Sequence, residues 1–145
     1  MSAVWWWMLA SLAVEPRPNA NLSPGEVIRT VVESLQKRNS PSPNAGIYTV
    51  YQFAAPENRA STGPYGNFLR LLKHPIFAPL LTRRETGYGP LSVSGDQAGQ
   101  DVSFRMEDGR TVWFHFVVAR QTSEQTRGLC TGCWMVAEVS PLSAQ

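Results

Sequence analysis

Apolar residues recur along this chain at two different periods, and the change from one to the other divides it in half. In the first half Val27, Ile28, Val31, Val32 and Leu35 return every three or four residues, with Arg29, Glu33 and Lys37 opposite them, as on an amphipathic helix. Ser23-Pro24-Gly25-Glu26 supplies its start: a capping hydroxyl, a proline where no amide hydrogen is needed, and a glutamate that reaches back to the cap amide. Lys37 and Arg38 suit the negative end of the helix dipole, and residues 39–43, with two prolines, stop it. A second helix is predicted from Asn44, with Ile47, Val50, Tyr51 and Ala54 on one face, ending at Pro56. Residues 55–62 read as a polar turn. Gly63-Pro64 then opens a third helix that turns Tyr65, Phe68, Leu69 and Leu72 inward and closes at Lys73 and His74. Phe77, Leu80 and Leu81 form a further helical turn, kept short by Pro79.

After Gly87 the period becomes two, and strands are predicted near 88–93, 100–107, 110–120 and 132–139, in an antiparallel meander. The Asp108-Gly109 turn decides the register. A two-residue loop would place Phe104 on the face of Trp113 and His115 and so split the apolar set. A three-residue loop, with Gly109 left-handed, pairs Met106 with Arg110 and gathers Val102, Phe104, Met106, Val112, Phe114, Phe116 and Val118 on one face, so this register is expected. The other face then carries Arg105, Trp113, His115 and Val117, a mixed surface that fits either a homodimer interface or isolated surface hydrophobes.

A length of 145 residues, 43% of them apolar and 17% charged, fits one globular domain with its own core. The domain is expected over 22–140, with an apolar tail and linker at 1–21 and a short tail at 141–145. A net charge of +2, without a basic stripe, argues against nucleic acid as a partner. Residues 3–14, with Trp5, Trp6 and Trp7, are too few to span a bilayer, so no transmembrane segment is expected. They fit either a peripheral tail or the apolar part of a secretion signal, although no Lys or Arg precedes them. The compartment follows from that choice: cytoplasm or plastid stroma with the tail kept, secretion with it cleaved. Cys130-Thr-Gly-Cys133 has the spacing of a redox couple or half a zinc site. With only His74 and His115 to complete a zinc site, and no helix following, two ordinary thiols at a strand edge are expected instead, with no metal and no cofactor.

Helices followed by a curved meander ending in Trp134-Met135-Val136 resemble the cone-shaped, cystatin-like fold of the nuclear-transport-factor-like or SnoaL-like superfamily, which includes the ketosteroid isomerases. Three stretches resemble, more narrowly, an uncharacterised family of that superfamily from cyanobacteria and photosynthetic eukaryotes: the helix opening at Ser23-Pro24, residues 46–64 with their Pro-Glu-Asn-Arg-Ala-Ser-Thr-Gly-Pro run, and Gly132-Cys133-Trp134-Met135. The resemblance covers most of 22–140. It implies an α+β fold of three helices and a curved antiparallel sheet closed into a cone, and it brings no activity with it.

In such a cone Tyr51, Phe68, Phe104, Phe116 and Trp134 would line a ligand cavity. Asn58 and Arg59 at its mouth can clamp a carboxylate or phosphate beside the helix opening at Pro64, or can tie the turn to neighbouring carbonyls. An isomerase or dehydratase needs a base facing the cavity, and the candidate is His115 with a tyrosine partner, although the register turns it outward. The leading expectation is therefore a non-enzymatic binding or assembly module. The alternatives are a small isomerase- or dehydratase-like enzyme, and a structural interaction domain with a filled cone.

Overall fold

The computed structural model describes residues 16–142, and the apolar run at 3–14 lies outside them. Helix α1 (Pro24–Gln36) begins with the capping box read from the sequence: the Glu26 amide donates to Ser23 Oγ at 3.2 Å and the Ser23 amide to Glu26 Oε2 at 3.3 Å. Its five apolar residues, from Val27 to Leu35, are all buried. Helix α2 (Ala45–Phe53) crosses it closely, because the Gly46 amide donates to the Arg38 carbonyl at 2.9 Å. A Cβ on Gly46 would fall 2.0 Å from the Ser34 carbonyl oxygen and 2.7 Å from Arg38 Cα, so only glycine fits there. Asn44 precedes α2 in the left-handed region, at φ 62°, and its side chain makes no cap bond.

Helices α3 (Pro56–Thr62), α4 (Tyr65–Leu72) and α5 (Ala78–Thr82) follow, with a 3-10 turn at Pro75–Phe77. The polar turn expected over 55–62 is therefore a helix. Pro56 ends α2 and at the same time starts α3, whose first turn needs no proline amide. Strands β1 (Glu85–Ser94), β2 (Gln97–Arg105) and β3 (Thr111–Arg120) form two hairpins, the four-residue helix α6 (Ser123–Thr126) intervenes, and β4 (Trp134–Pro141) completes an antiparallel sheet of order β1-β2-β3-β4. Thr122 and Gln125 form the capping box of α6.

The β2–β3 register is the three-residue one: Phe104 lies opposite Val112, the Met106 amide donates to the Arg110 carbonyl at 2.8 Å, and Gly109 has φ 88°. Val102, Phe104, Phe114, Phe116 and Val118 are each 0% exposed beneath the helices, and the Phe104 and Phe114 ring centroids are 5.6 Å apart. Removing each such phenylalanine from water contributes roughly 1.5–3 kcal/mol, so this face and the α1 stripe form the centre of the core.

The expected three-helix, cone-shaped fold is corrected on both counts. There are six α-helices among the described residues, and the sheet is open and uncurled, with β1 and β4 as unjoined edges. Two signals misled the helix count. Helix α3 buries none of its own residues, and α6 is barely one turn, so neither shows an apolar stripe. No described helix is long and apolar enough to cross a membrane.

Candidate functional site

Helix α3 stands between two clefts of opposite charge. It is seated on β4 through one carbonyl: Val136 O accepts from the Ala55 amide at 2.7 Å and from Asn58 Nδ2 at 3.2 Å. On one side a cavity of about 370 Å³ opens between α1, α2, α3, α4 and β4. Its walls include Leu35, Val50, Phe68, Leu72, Leu80, Val136 and Val139, and its polar groups are Glu57, Asn58, Ser61, Thr62 and Glu138. Among the described residues the two carboxylates, both on exposed residues, are its only ionisable side chains, and neither has an ion-pair partner.

On the other side lies a more open cleft of about 560 Å³, whose charged lining consists of Arg17, Arg59 and Arg127, beside Tyr48, Tyr51, Gln52, Leu129, Cys130 and Met135. Arg59 stacks on Tyr51, with its guanidinium carbon 4.6 Å from the ring centroid. Its Nε donates to the Tyr51 and Ala54 carbonyls at 3.1 Å and its Nη2 to Gln52 O at 2.8 Å, so it satisfies the carbonyls at the end of α2. Tyr51 and Tyr65 pack with centroids 5.4 Å apart, and burial, followed by the neighbouring Tyr48, holds the Tyr65 phenol above its ordinary range. Gln52 Oε1 is buried without a partner among the described residues.

The structure distributes the expected cavity residues over several places. Phe104 and Phe116 belong to the solid core, and Trp134, 9% exposed, packs into the same cluster. Phe68 and Asn58 line the acidic cleft, while Tyr51 and Arg59 line the basic one. Cys130 and Cys133 are joined in a disulfide, with Cα atoms 5.6 Å apart, in place of the two thiols expected. Among the described residues no group of three or more His, Cys, Asp or Glu side chains could hold a metal ion.

On the outer face of the sheet Trp113 is 43% exposed, His115 and Val117 are half-buried, and Arg105 pairs loosely with Glu85 at 3.8 Å. His115 Nδ1 lies 2.7 Å from Asp101 Oδ1, and its ring covers Gly99, away from both clefts. No hydroxyl among the described residues hydrogen-bonds to the other ring nitrogen, and His115 borders an open recess that Ser92 and Ser94 also line. Asp101 lies inside β2, directly opposite His115. The register contained the signal for it: with Met106 opposite Arg110, stepping five residues along each strand puts Asp101 opposite His115.

The chain matches no family model, no curated protein and no solved structure. The SnoaL-like, cystatin-like assignment is thus withdrawn, since no family match supports it and the open sheet lacks the curvature that such a fold requires.

Proposed function

We propose that this protein is a non-enzymatic binding module for a small, largely apolar molecule that carries a cationic group. The observation behind this reading is the cleft between the helices and β4. Its volume of about 370 Å³ is in the range of small-molecule sites, its walls come from both layers of the fold, and its only charges among the described residues are Glu57 and Glu138. An apolar body displaces water from Phe68, Leu72 and Val139, and a protonated amine meets the two rim carboxylates. Catalysis is disfavoured because neither cleft contains a histidine, and both acids of the apolar cleft belong to exposed residues.

The test compares two ligands of the same shape and opposite charge, 4-phenylbutylamine and 4-phenylbutyrate, by calorimetry and by methyl chemical shifts of Leu72 and Val139. Two exposed carboxylates at a fraction of a kcal/mol to 1 kcal/mol each correspond to a preference for the amine of about tenfold. The double variant Glu57→Gln, Glu138→Gln should bind both ligands about equally. Equal binding of amine and acid by the wild type, or no methyl shift with either, would refute the reading.

A further inference from the structure

We propose that the Cys130–Cys133 disulfide is a redox-active exchange centre, opened at Cys130 by an anionic thiol that enters the basic cleft on the far side of α3. The two sulfurs occupy unlike places. Cys130 is half-buried and lines the cleft, whereas Cys133 is 2% exposed and packs with Ala55 and Met135. An exchange centre needs this asymmetry, with one sulfur that an incoming thiol can reach and another that is held back to reclose the bond. With a sequence separation of only 3, the disulfide closes a loop too short to restrict much of the unfolded chain, so structural stabilisation is a weak reason for it.

Charge supplies the second argument. Among the described residues Arg17, Arg59 and Arg127 line the cleft and no Asp or Glu does. Arg127 is exposed and caps α6 three residues before Cys130. Arg120 runs beside the same turn, with Nε and Nη2 each 4.0 Å from the place a Cβ would take on Gly132. Cationic surroundings favour thiolate over thiol, and they concentrate a thiol that carries carboxylates. The cleft has room for a small peptide thiol of the glutathione class.

The reaction balances with two equivalents of that thiol as reductant. A thiolate attacks Cys130 Sγ, a sulfur–sulfur bond forms between them, and the Sγ–Sγ bond breaks to release the Cys133 thiolate, which takes a proton from solvent. A second thiolate attacks the incoming sulfur of the mixed disulfide and releases the Cys130 thiolate. Two electrons pass from the two small thiols, which leave as their disulfide, to the protein, which is left as a dithiol.

Native oxidised protein is exposed to reduced glutathione or to the cationic thiol cysteamine at equal thiolate concentration, alkylated at intervals and mapped by mass spectrometry. Glutathione should open the disulfide without denaturant, about tenfold faster than cysteamine, and Arg127→Gln should reduce that ratio by about threefold. With oxidised glutathione, Cys130 in the Cys133→Ser variant should form a mixed disulfide about tenfold faster than Cys133 does in Cys130→Ser. Reduction only under denaturant, equal rates for the two thiols, or equal capture by both cysteines would overturn the proposal. The wild-type comparison needs no substitution and stands even where a variant fails to fold.

Discussion

Replacing Arg83 by methionine and by lysine sets two costs against each other. Arg83 is 7% exposed, and its guanidinium lies over the Phe104 ring with the central carbon 5.1 Å from the centroid. Nε donates to Thr86 Oγ1 at 2.7 Å, and the two terminal nitrogens donate to the Leu80 and Val32 carbonyls, so one side chain joins α1, α5 and β1. Burial pushes its pKa down from 12.5 to about 10, partly countered by Tyr88 and Glu33. At about 1.4 kcal/mol per pH unit, holding the charge costs ~3.5 kcal/mol. Three hydrogen bonds from a charged donor, at about 1.5 kcal/mol each, contribute ~4–5 kcal/mol, so the residue is favourable by only ~1 kcal/mol. Arg83→Met removes both effects, keeps the apolar stem and leaves the Leu80 carbonyl short of a partner, for an expected loss of ~1–3 kcal/mol. Arg83→Lys keeps the buried charge on a single nitrogen that cannot span three acceptors in three directions, for a loss of ~3–4 kcal/mol. Urea unfolding at neutral pH, followed by tryptophan fluorescence, gives both numbers. A lysine variant more stable than the methionine variant would refute the reasoning.

Two further outcomes follow from particular contacts. Gly46→Ala forces a methyl group to within 2.0 Å of the Ser34 carbonyl oxygen and should cost ~3 kcal/mol or more, whereas a thermal midpoint within about 2 °C of wild type would mean that the crossing of α1 and α2 can relax. At the β2–β3 turn the Arg110 amide and side chain both donate to Asp108 and hold its carboxyl below the usual range. A folded pKa below the unfolded one adds stability that is present above the unfolded value and is lost as pH falls through the folded one. Asp108→Asn should therefore flatten the acid limb of the stability–pH curve, and an unchanged acid limb would count against this role for the turn.

The parts of the fold that were legible in the sequence are those where one surface had to be apolar and the other wet. Helix α1 declares itself through five buried positions and a capping box, and the β2–β3 register through the requirement that Phe104 and Phe114 share a face. Helix α3 gave no such sign, since it buries none of its residues and is held by backbone, by Asn58 and by Arg59. Asn58 and Arg59 were legible as residues that tie their segment to neighbouring carbonyls, and both do so, although the segment is a helix and not a turn. Arg83 was not legible, because nothing local separates an arginine in water from one that a partner 51 residues away holds in the core. The disulfide needed coordinates to place Cys130 and Cys133 within bonding reach. The cone failed for a related reason: alternation fixes which face is buried, while closure depends on how the edge strands end, and the pattern within a strand does not encode that.

Because α3 supplies Glu57 and Asn58 to one recess and Arg59 to the other, and Ala54 touches both, the two recesses share one wall. Should an amine bound in the first shift the thiol–disulfide equilibrium proposed for the second by some factor, the dithiol state would shift the amine's affinity by the same factor. A titration of either partner would then read the state of the other, through a two-turn helix fixed to β4 by one carbonyl oxygen and to the end of α2 by Arg59.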